Sequence, residues 1–409
     1  MPFYLLVLLY DYLGELSSIF KNIDESWCLL IGILGGWAWL KKRSLVSIYR
    51  FEKYILILYL LLLTIGFLGN VLHTELNIFS LYDSIVFSKV FIVYFGARIY
   101  MQTKPHFFEK FDICPKSIEL SFYVIFVLAV FNLFYVNLYP ISQYRFSLPA
   151  IELFFGHPSR LAFAAMVYML IFFVSRNKRR VYLVLGALFM GLFSLRYKFF
   201  AFAFLALASF VYINISSFVF LYIFTFFVIL TYTFYPWIFS LESYEFNQLI
   251  VRHIVFYSGI ALANHYFPIG AGFAKYASYF SQVNYSDVYY FLGLNKVHGL
   301  SQAHGNFISD NYLAMIVGQF GYLGSAFYMI IIYLFVFNFN RLRKLHAKSD
   351  LAKYFTASIV LVVYTFLESY ADSTLSQNRG VFLFYFFAIS VTQVNEMYKE
   401  KSFQEESTE

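Results

Sequence analysis

The chain has 409 residues, of which 61% are hydrophobic and only 13% are charged, with a formal net charge of +7. Its mean hydropathy of +0.66 is far outside the soluble range, so the composition excludes a soluble globular protein. The positive charge does not indicate a nucleic-acid partner, because most of it lies in short connections between hydrophobic segments.

Hydrophobic segments of spanning length recur along the whole chain. A helix that crosses a bilayer needs about 20 mostly apolar residues. We therefore predict an all-α, polytopic integral membrane protein with about twelve transmembrane helices, or ten or eleven if the first segment lies at the interface. The predicted spans are Phe3–Phe20, Ser26–Leu40, Tyr54–Asn70, Tyr82–Tyr100, Ile118–Tyr139, Leu161–Ser175, Val181–Leu195, Phe199–Ile213, Phe218–Phe234, Tyr312–Phe337, Tyr354–Leu367 and Val381–Val394.

Two connections between these spans are much longer than a turn, Pro140–Arg160 and Tyr235–Asp310. Structureless loops as long as the second one are uncommon unless they are functional. Its stretch Phe246–Ala263 has the apolar spacing of an amphipathic helix, so we predict a long, partly helical loop. The chain then divides into an N-terminal transmembrane bundle (1–234), the large loop (235–310) and C-terminal transmembrane helices with a tail (311–409).

Lysine and arginine are sorted between the two sides of the predicted bundle. With the N-terminus in the cytoplasm, the dense clusters fall inside, as the positive-inside rule requires, both termini are cytoplasmic, and Tyr235–Asp310 lies outside. These clusters are Lys41–Arg43, Arg176–Arg180 and Arg341–Lys344. Isolated cations on the outer side have no role in topology and predict an anionic ligand there: Arg145, Arg160, Arg196, Lys198, Arg252, Lys275 and Arg379. Lys89 lies within a span, where a charged residue indicates function, but it is also near enough to the outer end to snorkel or to pair with Asp83.

The sequence lacks the motifs of several enzyme and transporter classes. It has no GxxxxGK[ST] phosphate loop, no HExxH or paired CxxC, no G-x-S-x-G elbow, and no inverted pair of Gly/Pro-broken spans. We therefore expect any enzymatic activity to use neither a metal nor another cofactor.

Four patches on the predicted outer side could carry chemistry instead. Each also has a structural reading: a capped loop, a turn, or an N-cap at Ser309 or Asp310. Glycines would allow a ligand to approach the backbone closely. The patches are Tyr144–Phe146 with Phe155–Arg160, Ser194–Lys198, Arg252–His253 with Tyr266–Lys275, and His304–Leu313 with Gln319–Gly324.

The order of these patches resembles the O-antigen polymerase and ligase superfamily, multi-span bacterial proteins that build surface polysaccharide. In chain order, that family has an Arg before a Gly-x-x-Pro-Asn-like helix start, then a Ser-Arg-like turn and an Arg-bearing amphipathic segment. A Pro-x-x-Gly-x-Gly motif follows, and then His-Asn-x-Tyr-Leu, which leads into Glu-x-Gly-x-x-Gly. The similar residues here are Arg145, Gly156–Ser159, Ser194–Arg196, Arg252, Pro268–Gly272, Asp310–Leu313 and Gln319–Gly324. The likeness covers most of the chain after Pro140, and it departs where Asp310 replaces the family's His and Gln319 its Glu.

The resemblance implies a glycosyltransferase of the bacterial cytoplasmic membrane that polymerises undecaprenyl-pyrophosphate-linked oligosaccharides into O-antigen or capsule. The donor and the acceptor are both lipid-linked, and a chain-length regulator and a flippase are possible partners. Pyrophosphate would bind Arg196 and Arg252, supported by Arg145, Arg160 and Lys198. His304 and Asp310 are the candidates for the catalytic base. The glycan would contact Gly270, Gly272, Lys275, Asn311 and Tyr312.

Three other functions fit the same sequence, one of which is a multi-span scaffold whose long outer loop would be an interaction surface. An O-antigen ligase, which transfers the glycan to a lipid A core, shares the pattern. A flippase carries out no chemistry, and it should place its cations along a cavity within the spans rather than at their outer ends. The sequence alone favours the polymerase.

Overall fold

The computed structural model describes residues 22–104, 115–135, 139, 141, 143–145, 148–196, 199–204, 206, 243–305 and 307–406, without the side chains of 243–250 and 395–406. Within this part the fold is predominantly helical with almost no strand, which confirms the all-α prediction. The helices are α1 (Ile23–Lys42), α2 (Arg50–His73), α3 (Ile78–Gln102), α4 (Lys116–Phe134), α5 (Pro158–Val174), α6 (Arg180–Leu192), α7 (Ser243–His265), α8 (Tyr279–Asn284), α9 (Val288–Phe291), α10 (Tyr312–Leu345), α11 (Leu351–Glu368) and α12 (Asn378–Glu406). Strands β1 (Tyr144–Arg145) and β2 (Leu148–Pro149) pair antiparallel, and short 3₁₀ turns occupy Arg43–Leu45, Leu153–Phe155, Leu294–Lys296 and Thr374–Ser376.

Five of the described helices, α2, α3, α4, α10 and α11, are long and apolar enough to cross a membrane, and α5 and α6 are shorter apolar helices. Large apolar side chains such as Leu60, Val71 and Leu120 are exposed on them. A surface of this kind is stable in lipid and costly in water. The predicted spans Phe3–Phe20 and Phe218–Phe234, and most of Phe199–Ile213, lie outside the described residues, so the total of about twelve stays a prediction.

Most helix positions agree with the hydrophobic segments, and most ends differ by a few residues, but α12 continues to Glu406, well beyond the predicted Val394. The helix predicted over Phe246–Ala263 is present within α7. The helix α10 extends beyond the predicted Phe337 and is bent at Gly321, whose φ of 63° and ψ of −162° are non-helical. The predicted span Ile118–Tyr139 ends early at Phe134, because Tyr135 leaves the helical conformation.

The helices pack as a bundle around a core rich in aromatic rings. Helix α3 packs on both α1 and α12, and α10 packs on α2, α7 and α11, while α5 and α6 form an antiparallel pair. Phe335 of α10 contacts Tyr94 of α3 and Phe384 of α12, with ring centroids 5.5 and 5.7 Å apart. These contacts connect helices that are far apart in sequence into one core.

Two buried ion clusters join the N-terminal helices. Arg98 donates from Nε to Glu52 Oε1 at 2.9 Å, and Tyr94 donates to the same oxygen at 2.9 Å. Lys89 binds Asp24 at 2.5 Å and Glu25 at 3.1 Å. The proposed pairing of Lys89 with Asp83 is therefore wrong, because the carboxylates that neutralise it come from α1.

The basic clusters gather at one end of the bundle. Arg176, after α5, lies 3.5 Å from Asp350, before α11, and Lys42 at the end of α1 donates to Thr103 at the end of α3. We call this the basic end. The helix directions put the first residues of α5, α10 and α12 and the last residues of α6 and α11 at the opposite end, which we call the arginine end.

Candidate functional site

A hairpin and a helix–helix turn position the central arginine of the arginine end. Ala150 donates its amide to Gln143 O at 3.0 Å, closing the β1–β2 hairpin, and Ile151 donates to Phe193 O at 3.0 Å, which fixes the hairpin on the end of α6. Leu195 adopts a φ of 48°, and Arg196 O accepts the amide of Phe199 at 2.8 Å. These contacts hold the backbone of Arg196 beside the hairpin.

Arg196 contacts an amide and an imidazole side chain. Its Nη2 donates to Gln143 Oε1 at 2.8 Å and lies 2.9 Å from His157 Nε2, while its buried Nε has no hydrogen-bond acceptor among the described residues. Burial, followed by the charges of Arg145 and Arg252, lowers the pKa of Arg196 to about 9, against smaller opposite effects of Asp372 and Glu152. A cation in such a position is costly unless an anion joins it.

The other predicted arginines surround this turn in different ways. Arg145 is buried and donates to Leu195 O at 3.4 Å, next to Arg196 in the chain. Arg160 donates to Phe155 O at 3.0 Å, just before its own helix. Lys198 lies outside the described residues. The structure therefore brings Arg145 and Arg252 within electrostatic reach of Arg196, with Arg160 at the start of α5.

Arg252 and Asp310 form an ion pair, with Arg252 Nη2 3.3 Å from Asp310 Oδ2. The N-cap of α10 is Asn311, whose Oδ1 accepts the amide of Ala314 at 2.9 Å and whose Nδ2 donates to Arg252 O at 3.4 Å. The reading of Ser309 or Asp310 as the N-cap is therefore wrong. Tyr312 is buried, with its ring 6.0 Å from that of Tyr328, so Asn311 and Tyr312 make interior contacts.

His304 is on the protein surface. Its ring lies 5.9 Å from that of His298, and its amide donates to Ser301. None of these contacts within the described residues involves an arginine. Of the two candidates for the base, only Asp310 is in contact with the arginine group.

The connection between α11 and α12 supplies acids that the sequence patches did not include. Arg379 donates to both carboxylate oxygens of Asp372 at 3.0 Å and to Glu368 at 3.4 Å. His253, beside Arg252, is hydrogen-bonded to Tyr370. The signal available in the sequence was that Glu368, Asp372 and Arg379 lie at facing ends of the last two spans, on the side of the isolated cations.

The segment Pro268–Gly272 docks onto the bend of α10. The amides of Ala271 and Gly272 donate to Gly318 O and Gln319 O, both at 2.9 Å, and Leu323 donates to Pro268 O at 3.1 Å. A Cβ on Gly270 would lie 2.5 Å from Gln319 C. Gly270 and Gly272 thus allow the backbone of this segment to pack closely against α10. Their predicted contact with the glycan stays a prediction.

Side chains of α2 and α3 hold the continuation of this segment. Asn70 Oδ1 accepts the amide of Phe273, and Asn70 Nδ2 donates to Phe273 O, both at 2.9 Å. Asp83 Oδ2 accepts from Ala274 N at 2.7 Å and from Gln319 Nε2 at 2.9 Å. Lys275, next in sequence, is largely buried, and burial lowers its pKa although Glu75 and Asp287 oppose the effect. Lys275 is thus adjacent to a rigidly anchored loop.

Taken together, these contacts form a cationic site in which one arginine lacks a carboxylate contact among the described residues. In that same part of the chain, no group of three His, Cys, Asp or Glu side chains is arranged to hold a metal ion. Guanidinium groups bind phosphate with two parallel hydrogen bonds and retain their charge when partly buried. The arrangement suits a phosphorylated ligand.

No protein-family model matches the chain, and no curated protein matches it.

Proposed function

We propose that this chain is a bacterial membrane glycosyltransferase that polymerises undecaprenyl-pyrophosphate-linked oligosaccharide repeat units into surface polysaccharide. The growing glycan on one lipid is the donor, and a new repeat unit on a second lipid is the acceptor. The reaction takes place at the outer face of the cytoplasmic membrane. A flippase that delivers the repeat units and a regulator of chain length are the natural partners.

One observation carries the proposal: Arg196 is desolvated, lies near two further arginines, and is bound by Gln143 and His157 rather than by a carboxylate. Buried cations in proteins are normally paired. A site that holds a desolvated cation without a direct carboxylate contact among the described residues favours an anionic ligand, and perturbed groups of this kind concentrate at functional sites.

The proposed chemistry needs charge stabilisation more than it needs covalent catalysis. When the acceptor hydroxyl attacks the anomeric carbon of the donor, the bond to the pyrophosphate oxygen breaks and negative charge develops on that oxygen. Fixed guanidinium donors around Arg196 stabilise this charge without reorganising. The acceptor proton passes to a general base, and Asp310 is better situated for this than His304 because it contacts Arg252.

The basic clusters and the isolated arginines lie at opposite ends of the bundle, which supports a reaction at the outer face of the membrane. The positive-inside rule assigns the basic end to the cytoplasm, and the arginine end then faces outward. We extend the same assignment to both termini and to the long loop that contains α7. Twelve spans are consistent with this orientation, because an even number returns the C-terminus to the cytoplasm.

Glycan banding in a deletion strain tests the proposal. The strain is complemented with the wild-type chain, with Arg196→Ala, with Arg196→Lys, and with Arg179→Ala as an exposed control at the basic end. We expect long-chain glycan from the wild type and the control only, and little from lysine, because a point charge cannot bind bidentately. Unattached full-length chains in the deletion strain would instead identify a ligase, and absence of a lipid-linked unit at the surface would identify a flippase.

Cysteine labelling from outside the cell tests the orientation. Gln302 and Lys178 are both exposed, and they lie on opposite predicted sides. In a chain whose two native cysteines are replaced, Gln302→Cys should react with an impermeant maleimide and Lys178→Cys should not. The reverse pattern would place the arginine end in the cytoplasm and exclude the proposed reaction.

Turnover of purified enzyme separates the two candidate bases. Asp310→Asn keeps the shape of the side chain and a hydrogen-bond acceptor for Arg252, but it cannot take up a proton. We expect it to lower the rate by about 10²-fold or more, while His304→Ala stays near the wild-type rate. A normal rate in Asp310→Asn would remove Asp310 as the base.

A further inference from the structure

The connection between α1 and α2, at the basic end, is rich in exposed cations. Residues 41–53 contain five cations and one acid, and that acid, Glu52, is buried and paired with Arg98. We call the exposed cations of this region and of the end of α3 the cationic collar: Lys41, Lys42, Arg43, Arg50, Lys53 and Lys104. Among the described residues, no carboxylate lies within ion-pairing distance of any of them.

Hydrogen bonds gather the collar into one patch. Lys42 Nζ donates to Thr103 O at 3.3 Å, which joins the end of α1 to the end of α3. Ser47 donates its amide to Gln102 Oε1 at 2.7 Å, and Gln102 Nε2 donates to Ser47 O at 3.1 Å. The connection is therefore fixed on the end of α3, where Lys104 follows.

Three cations of the collar lie over aromatic rings that precede them by one helical turn. The pairs are Lys41 over Trp37, Arg43 over Trp39 and Lys104 over Tyr100, with 4.3, 5.3 and 5.3 Å between the Nζ or Cζ atom and the ring centroid. An aromatic ring attracts a cation but carries no net charge, so each cation is positioned and keeps its charge. Tryptophan and tyrosine prefer the boundary between hydrocarbon and headgroups, so these rings hold the cations at the level of lipid phosphates.

The turn between α5 and α6 is also basic, but it lacks this arrangement. Its four cations serve the topology equally well: Arg176, Lys178, Arg179 and Arg180. Arg176 lies 3.5 Å from Asp350, and in the described part of the chain none of the four lies over an aromatic ring. The positive-inside rule therefore explains the charge of both regions, but it does not explain the geometry of the collar.

The surface of α1 next to the collar is apolar and open. Ile33 and Leu40 are exposed on one face of the helix, and a Cβ on Gly36, between them, would meet nothing within 4 Å. A face of this kind is suited to hydrocarbon chains. On the other side of the connection, Arg50 and Lys53 lie in the first turn of α2, where the helix macrodipole adds to their positive field.

We propose that the cationic collar binds anionic phospholipids of the adjoining leaflet in preference to zwitterionic ones. The lipid phosphate accepts hydrogen bonds from the ammonium and guanidinium groups, and the acyl chains lie along the open face of α1. A zwitterionic headgroup has no net charge, so the field of the collar attracts it less. This inference goes beyond the proposed glycosyl transfer and does not depend on it.

Quenching of tryptophan fluorescence by brominated lipids tests the inference, because two of the four tryptophans belong to the cation–ring pairs. In the full chain carrying Trp27→Phe and Trp237→Phe, only Trp37 and Trp39 report. The chain is placed in symmetric bilayers with brominated phosphatidylglycerol or with brominated phosphatidylcholine of identical chains, which makes the result independent of orientation. We expect at least about a fivefold preference for phosphatidylglycerol, roughly the contribution of one cation near a membrane surface. The preference should fade at about 1 M salt, where the screening length is only about 3 Å.

Two triple variants with the same loss of charge separate the collar from basic charge in general: Lys41→Gln/Arg43→Gln/Lys104→Gln and Arg176→Gln/Lys178→Gln/Arg179→Gln. The collar variant should lose the preference, and the control should retain it to within about twofold. Lys41→Arg with Lys104→Arg keeps the charges over their rings and should bind as the unsubstituted collar does. Native mass spectrometry of the chain with all its tryptophans, which counts the lipids retained, repeats the comparison without the reporter substitutions.

Equal quenching by the two lipids in the unsubstituted collar would overturn the inference. An equal loss of preference in both triple variants would overturn it too, because net charge alone would then account for the binding. If an excess of glycerol phosphate in solution removes the preference, the collar takes a soluble phosphate and the assignment to lipid is wrong. Retention of phosphatidylglycerol that survives the collar variant would place the lipid elsewhere on the chain.

Discussion

Arg196→Met should make the protein more stable while abolishing its function. The pKa of Arg196 falls to about 9 in the folded chain because burial and the neighbouring arginines disfavour its charge. Since the folded-state pKa lies below the unfolded one, this penalty is present in full below about pH 9 and shrinks as the pH rises further. Methionine has similar length and carries no charge, so it removes the penalty.

The expected change in the free energy of unfolding is the difference between two opposing contributions. A pKa of about 9 instead of the ordinary 12.5 corresponds to roughly 5 kcal/mol against the charged form. The substitution also removes the two contacts to Gln143 and His157, worth about 1 kcal/mol each. A net stabilisation of about 2–3 kcal/mol at pH 7 remains, which corresponds to about 4–6 °C in the unfolding midpoint at roughly 2 °C per kcal/mol.

The assay is thermal unfolding of the purified protein in detergent, followed by intrinsic fluorescence. Arg379→Met is the comparison, because Arg379 is buried at the same end of the bundle but is paired with Asp372 and Glu368. Removing it takes the Arg379 ion pair away from two carboxylates and should cost about 3–5 kcal/mol. If Arg196→Met unfolds at a lower temperature than the wild type, Arg196 holds the fold together and the argument for an anion site at that position is refuted.

Three further substitutions test the anchoring of the docked loop by the same unfolding measurement. Gly321→Ala forces a Cβ to 2.6 Å from Gly270 N at a φ of 63° and should lose at least about 1–3 kcal/mol, whereas Gly36→Ala, with open space around it, should lose nothing. Gln319→Glu sets two carboxylates together and should destabilise, and adding Asp83→Asn should recover most of the loss. Lys275→Met should stabilise at pH 7, with a gain that shrinks as the pH rises through the lowered pKa of Lys275.

The helical class and most helix positions could be predicted because they depend on local patterns. An apolar segment such as Tyr54–Asn70 must satisfy its backbone internally in lipid, so hydropathy alone locates α2, which runs from Arg50 to His73. The bend of α10 could not be predicted. It depends on Gly321 meeting Pro268 and Gly270, about fifty residues earlier in the chain, and a glycine within a span usually indicates only close helix packing.

The candidate site, like the fold, could be predicted from the sequence only in part. Arg145, Arg196 and Arg252 could be singled out in the sequence because they are isolated cations on the predicted outer side, where they have no role in topology. Their partners depend on tertiary contacts: the choice of Asp372 for Arg379, and of Asp24 rather than Asp83 for Lys89, cannot be derived from spacing. Sequence therefore indicates which residues need a partner, and the fold decides which partner each receives.

The two departures from the family pattern follow from this same rule. Where the family has Glu, Gln319 donates its amide to Asp83, and a glutamate there would bring two carboxylates together in a buried site. Where the family has His, Asp310 gives Arg252 an ionic partner that a neutral imidazole could not provide. Each of the two side chains therefore suits the partner that the fold places beside it.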